Sequence, residues 1–150
     1  VDLRKTGQIR NTYLTSHVFP ENIKIGWATA SNPDEKLMVG YAWETEEYPW
    51  LNIWHQFKED KVKGRAIEFA TCGLGLSFED LITEDYSYFG NLSLEFIDAR
   101  QTITKTYYMF VMEIPDDFLE TTGLVFNEDR IIVTYLTEEG GVEKTFLKSD

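Results

Sequence analysis

Cysteine is nearly absent from this chain of 150 residues: Cys72 stands alone. A single thiol excludes an intrachain disulfide and any cysteine-based metal site. A lone cysteine in "ATCGLG" reads first as a small buried hydrophobe. Histidine is as scarce, with only His17 and His55, and neither sits in an H-x-x-x-H spacing. No metal or cofactor is expected. No run approaches the ~20 apolar residues of a membrane span. The opening Val1-Asp2-Leu3-Arg4-Lys5 does not read as a signal peptide, and no initiator Met precedes it. The compartment therefore stays open, with the cytoplasm as the default expectation.

Basic residues are also few. Lys and Arg total 14 against 26 Asp and Glu, a net charge of −12. Such a surface repels phosphate backbones and anionic lipid, so neither nucleic acid nor a membrane is an expected partner. The acids occur in short groups such as Glu44-Glu46-Glu47 and Glu138-Glu139, which suits a solvated face better than a metal cage. What the chain does hold is hydrophobic and aromatic: 43% and 15% of its residues. That is enough for a folded core, and the length suits one domain spanning 1–150.

Along the chain, apolar and β-branched runs alternate with turn signals. Strands are expected at Leu37–Trp43, Leu51–Phe57, Arg65–Thr71, Asn91–Asp98, Gln101–Glu113, Arg130–Thr137 and Val142–Leu147. "KEDKVKG" would loop between the second and third, making a hairpin. "EEGG", Glu138 to Gly141, would close a final one. Helical period is confined to Ser77–Asp85, with Ser77 as N-cap. The expectation is an all-β fold, an antiparallel sandwich with little helix.

Familiar catalytic signatures are missing. "GLG" at Gly73–Gly75 lacks the Lys and Ser/Thr of a phosphate loop, and no serine has the G-x-S-x-G setting. One residue asks for an explanation: Glu68, set among Ala66, Ile67, Phe69 and Ala70. On a strand it would share a face with the two alanines, which leave room above it, while Ile67 and Phe69 point the other way. Read by period alone, an outward glutamate on a wet face is the simpler account. A paired-carboxylate glycosidase site would need a second acid, which the sequence does not name.

Two stretches carry a resemblance: "YAWETEEYPWLNIWHQF", Tyr41 to Phe57, and "KGRAIEFATCGLG", Lys63 to Gly75. Together they resemble the galactose mutarotase-like superfamily, the aldose 1-epimerases and their relatives. The likeness is closer to a branch that reads "PWLNIW" and then "LEFGTTG". Thr45 and Pro49 match the family's turn, Asn52 and Trp54 stand where it has Gln and Tyr, and Glu68 stands at its catalytic glutamate. Phe69 replaces a family Thr. The chain resembles only the C-terminal portion of the family's β-supersandwich, and the family's catalytic histidine and substrate arginine have no counterpart here.

The resemblance implies an isomerase that interconverts sugar anomers, with Glu68 as general base and a monosaccharide as partner. A base takes the proton of the C1 hydroxyl while an acid protonates the ring oxygen. The ring opens, the aldehyde turns, and it closes on the other face. Partial burial of Glu68 beside small residues would suit that role. Trp54 would stack on the sugar and Asn52 would bond a hydroxyl, with His55 and Gln56 completing the expected contacts. His55, as a lone histidine on a strand, reads equally as a structural residue. Two alternatives stand beside this: a non-catalytic carbohydrate-binding β-sandwich, and a structural half-domain whose open sheet edges would pair into a homodimer.

Overall fold

The computed structural model describes residues 9–73 and 75–147. Val1–Lys5 and Leu74, the middle of the rejected "GLG", lie outside the described residues. The fold is all-β and antiparallel, as expected. Among the described residues, nine strands and one short helix run in the order β1 (Tyr13–Val18), β2 (Ile25–Asn32), β3 (Leu37–Glu44), β4 (Trp50–Lys58), β5 (Lys61–Ala70), α1 (Phe78–Thr83), β6 (Tyr107–Glu113), β7 (Phe118–Phe126), β8 (Arg130–Thr137) and β9 (Gly140–Leu147). They form three three-stranded sheets, ordered β1-β4-β5, β2-β3-β6 and β7-β8-β9. The chain divides into two compact units. One comprises Val1–Ile23 and Thr45–Thr104, the other Lys24–Glu44 and Lys105–Asp150.

The second unit is a two-layer sandwich. Alternation along β8 buries Ile131, Val133, Tyr135 and Thr137. They join Met38, Ala42, Phe110, Met112, Ile114 and Leu124 around one core, with the threonine at its margin. Gly40 is part of this packing: a Cβ there would lie 2.1 Å from the Phe110 ring, so only glycine lets the ring cross β3. A hydroxyl pair, Thr29 to Thr121 at 3.1 Å, bonds β2 to β7. This is the inward-apolar, outward-polar logic of stacked sheets.

The first unit holds the β1-β4-β5 sheet, α1 and a long irregular stretch. The β4–β5 hairpin is tighter than the sequence suggested. Its loop is only Glu59-Asp60, both in the left-handed region at φ 53° and 57°. That is the twist-matched two-residue hairpin turn, unreadable here because neither residue is Gly or Asn. A bulge between Gln56 and Phe57 absorbs the register. The helix forms where expected: Ser77 Oγ accepts from the Asp80 amide at 3.1 Å, and Glu79 and Asp80 sit in the first turn, favourable to the helix dipole.

Two expected strands are cut back. Gln101–Glu113 is strand only from Tyr107, because β3 pairs with it from Glu113 to Tyr107 and offers no partner beyond Trp43. Asn91–Asp98 contains no strand, only an isolated bridge from Asn91 to Tyr88. A strand persists only where another lies alongside it in a ladder, and Asn91–Asp98 forms no ladder beyond that bridge. Three strands, β1, β2 and β7, formed where no strand was expected.

Candidate functional site

The β1-β4-β5 sheet brings the sequence-picked residues into one frame. Directly opposed residues of an antiparallel pair project to the same side. Asn52 on β4 faces Glu68 on β5 and Ser16 on β1. One step along that face, Trp54 faces Ala66 and Leu14; beyond it, Gln56 faces Gly64. Asn52, Trp54, Gln56 and Glu68 thus share a face, with the small residues Ala66 and Ala70 beside the carboxylate. Gly64 leaves space for the Trp54 indole, whose ring edge lies 3.5 Å from where a Cβ would stand. Glu68 is exposed, as its period alone indicated and not partly buried as would suit the role the resemblance implies, because alanines too short to cover it flank it.

His55 goes the other way. It projects from the opposite face, in register with Tyr13 and Arg65. Only 1% of it is exposed, and its ring stacks on Tyr13 at 4.9 Å with 19° between the planes. Its Nε2 lies 3.2 Å from the Ile9 carbonyl, which can only accept, so that nitrogen donates. The imidazole pins the chain ahead of β1 to the sheet. His17 shares the His55 side, opposite Leu51, and pairs with Thr15 Oγ1 at 3.0 Å.

Asn52 is engaged by its own chain. Its Nδ2 donates to the Cys72 carbonyl at 3.1 Å, and the residue is only 9% exposed, with Oδ1 buried and unpartnered. Next to it, Ser16 Oγ donates to the Gly73 carbonyl. Gly73 lies flat on Trp50: a Cβ there would sit 1.6 Å from the indole. Trp50 is buried and its Nε1 donates to the Leu92 carbonyl at 2.8 Å. The chain leaving β5 is thereby strapped across the face beside Glu68. An open cavity of about 400 Å³ lies at its edge, lined by Leu14, Ser16, Trp50, Gly75 and Tyr88.

Sequence reasoning missed Ser16 and the strap. The hint was "CGLG", whose glycines permit close approach, but which ring they approach depends on tertiary contact. Across the three strands, Glu68 is the only ionisable side chain on its face between the Trp50 and Gln56 rows. Among the described residues no group of three His, Cys, Asp or Glu could hold a metal ion. No family model, curated protein or solved structure matches the chain.

Proposed function

We propose that the β4–β5 face recognises a carbohydrate, with Glu68 as general base on the anomeric hydroxyl of a monosaccharide. The observation that carries the reading is the register: the exposed Glu68 stands directly across from Asn52 and one row from Trp54. A carboxylate accepts sugar hydroxyls, and an indole offers its apolar face to the C–H side of a pyranose. The base takes the C1 hydroxyl proton as the ring oxygen gains one. The C1–O5 bond breaks, and reclosure on the other face returns both protons. One well-placed base contributes ~10²–10⁴-fold.

A second reading, carbohydrate binding without catalysis, is favoured by the absence of a second ionisable group on that face of the three strands. In the catalytic reading, protonating the ring oxygen falls to water. Anomer exchange of glucose and galactose, followed by NMR in wild type and Glu68→Gln, separates the two. Exchange above buffer in wild type and lost in the variant supports the base. Exchange equal in both refutes it. Tryptophan quenching by methyl glycosides, lost in Trp54→Ala, tests binding alone; no quenching by any glycoside refutes the carbohydrate reading.

A further inference from the structure

A turn in the irregular part of the first unit exposes an aromatic ring at a cost. Tyr88 and Asn91 exchange both backbone hydrogen bonds, at 2.9 and 3.0 Å, so Phe89-Gly90 forms a two-residue tip. Both tip residues have positive φ, 48° and 79°. Such turns favour Asn-Gly, and a bulky residue in the first position is strained. Phe89 gains little burial in return. Its ring meets Tyr88 edge-on at 4.5 Å, yet 78% of it stays exposed. Leu92, 66% exposed, and Tyr88, 50% exposed, lie at the base of the same turn. That base is held firmly, since Leu92 accepts the Trp50 indole N–H and Tyr88 stacks on the Trp50 ring. A rigid mount presents an apolar tip.

The flanking sequence says what would cover it. From Leu76 to Asp98 the sequence has six acids, Glu79, Asp80, Glu84, Asp85, Glu95 and Asp98, and no Lys, Arg or His. All six side chains are in exposed residues. A second copy would oppose this acidic segment with another, and nucleic acid or anionic lipid would be repelled. Charge complementarity selects a cationic partner. We propose that the Tyr88–Leu92 turn, with Phe89 as anchor, docks a basic amphipathic protein segment: the ring enters an apolar contact and the acids pair with Lys or Arg around it.

The test uses the full chain and two labelled eighteen-residue helical peptides of identical Leu pattern, one with Lys and one with Gln at the polar positions. Anisotropy should show that the Lys peptide binds, that salt weakens it, and that the Gln peptide binds far less. Phe89→Asn retains every charge and restores a favoured turn residue. It should lower Lys-peptide affinity about tenfold while raising the unfolding temperature by about 2–4 °C. A purely structural ring would lower stability on removal. No binding of the Lys peptide, equal binding of both peptides, or affinity unchanged by Phe89→Asn overturns the proposal. So does self-association in light scattering that Phe89→Asn abolishes, which would give the tip to a second copy.

Discussion

Replacing Gly73 with alanine tests whether the strap beside Glu68 is built as described. The added Cβ would stand 1.6, 2.0 and 2.2 Å from three atoms of the Trp50 ring, where ordinary carbon contacts are ~3.5–4.0 Å. Trp50 has little freedom to give way, being 1% exposed and bonded through Nε1 to Leu92. The strap must therefore lift by about 2 Å to restore ordinary contact. The 3.1 Å bond from Asn52 to Cys72 cannot survive that movement, nor can the bond from Ser16 to Gly73. Overpacking costs ~1–3 kcal/mol, and stranding the buried Asn52 amide adds ~1–3 kcal/mol. The expected loss is roughly 2–6 kcal/mol in denaturant unfolding followed by tryptophan emission. Gly75→Ala is the control. Its Cβ would meet only Leu14 Cδ2 at 3.0 Å, the end of a side chain 47% exposed, which can turn aside. It should cost no more than about 0.5 kcal/mol. In a Trp50→Ala background the Gly73→Ala penalty should largely vanish, since the ring that causes it is gone. Equal stability of Gly73→Ala and Gly75→Ala would refute the close approach and the strap with it.

Glu59→Asn with Asp60→Gly gives the β4–β5 turn the residues its positive φ values favour. It relieves ~1–2 kcal/mol of left-handed strain. It gives up the ion pairs Lys63–Glu59 and Arg10–Asp60, the latter at 3.5 Å between groups 76% and 81% exposed; together these are worth less than about 1 kcal/mol. The double variant should melt a few degrees higher, and a lower midpoint would contradict the turn assignment. At the other end of the unit, the backbone N–H of Ser87 and then its hydroxyl hold the Asp85 carboxyl below the ordinary aspartate value of 3.8. A depressed folded-state pKa gives stability that is present above 3.8 and lost as pH falls through the lower folded value. Ser87→Ala leaves the backbone donor, so NMR titration should find the Asp85 midpoint raised only part of the way back. A midpoint that does not move would show the hydroxyl to be idle.

How much of this was legible in the sequence differs by element. Strand-forming composition and turn residues settled the all-β class, the helix with its Ser77 cap, and the last hairpin, because these are local preferences. Alternation also put Asn52, Trp54 and Gln56 on one face of β4 and Ala66, Glu68 and Ala70 on one face of β5. Which strands would pair was not local. Asn91–Asp98 has the composition of a strand but forms no ladder beyond the Tyr88–Asn91 bridge, while β1, at Tyr13–Val18, became a strand by pairing with β4. The register of the β4–β5 hairpin then set Glu68 against Asn52, and the sequence left that register open, since sliding a strand by one residue turns every side chain to the other side.

The burial of individual polar groups was decided later still. Period alone could not say that Asn52 spends its amide on Cys72 or that His55 is walled in behind Tyr13. The first depends on where the chain goes after β5, a path that rests on one backbone position, Gly73, lying flat against an indole 23 residues earlier in the chain; the second depends on the chain entering β1 at Ile9 and Tyr13. By itself the sequence determined periodicity, charge and local turns, because each is a property of neighbours along the chain. The tertiary structure decided pairing, cover and exposure, because each is a property of neighbours across it.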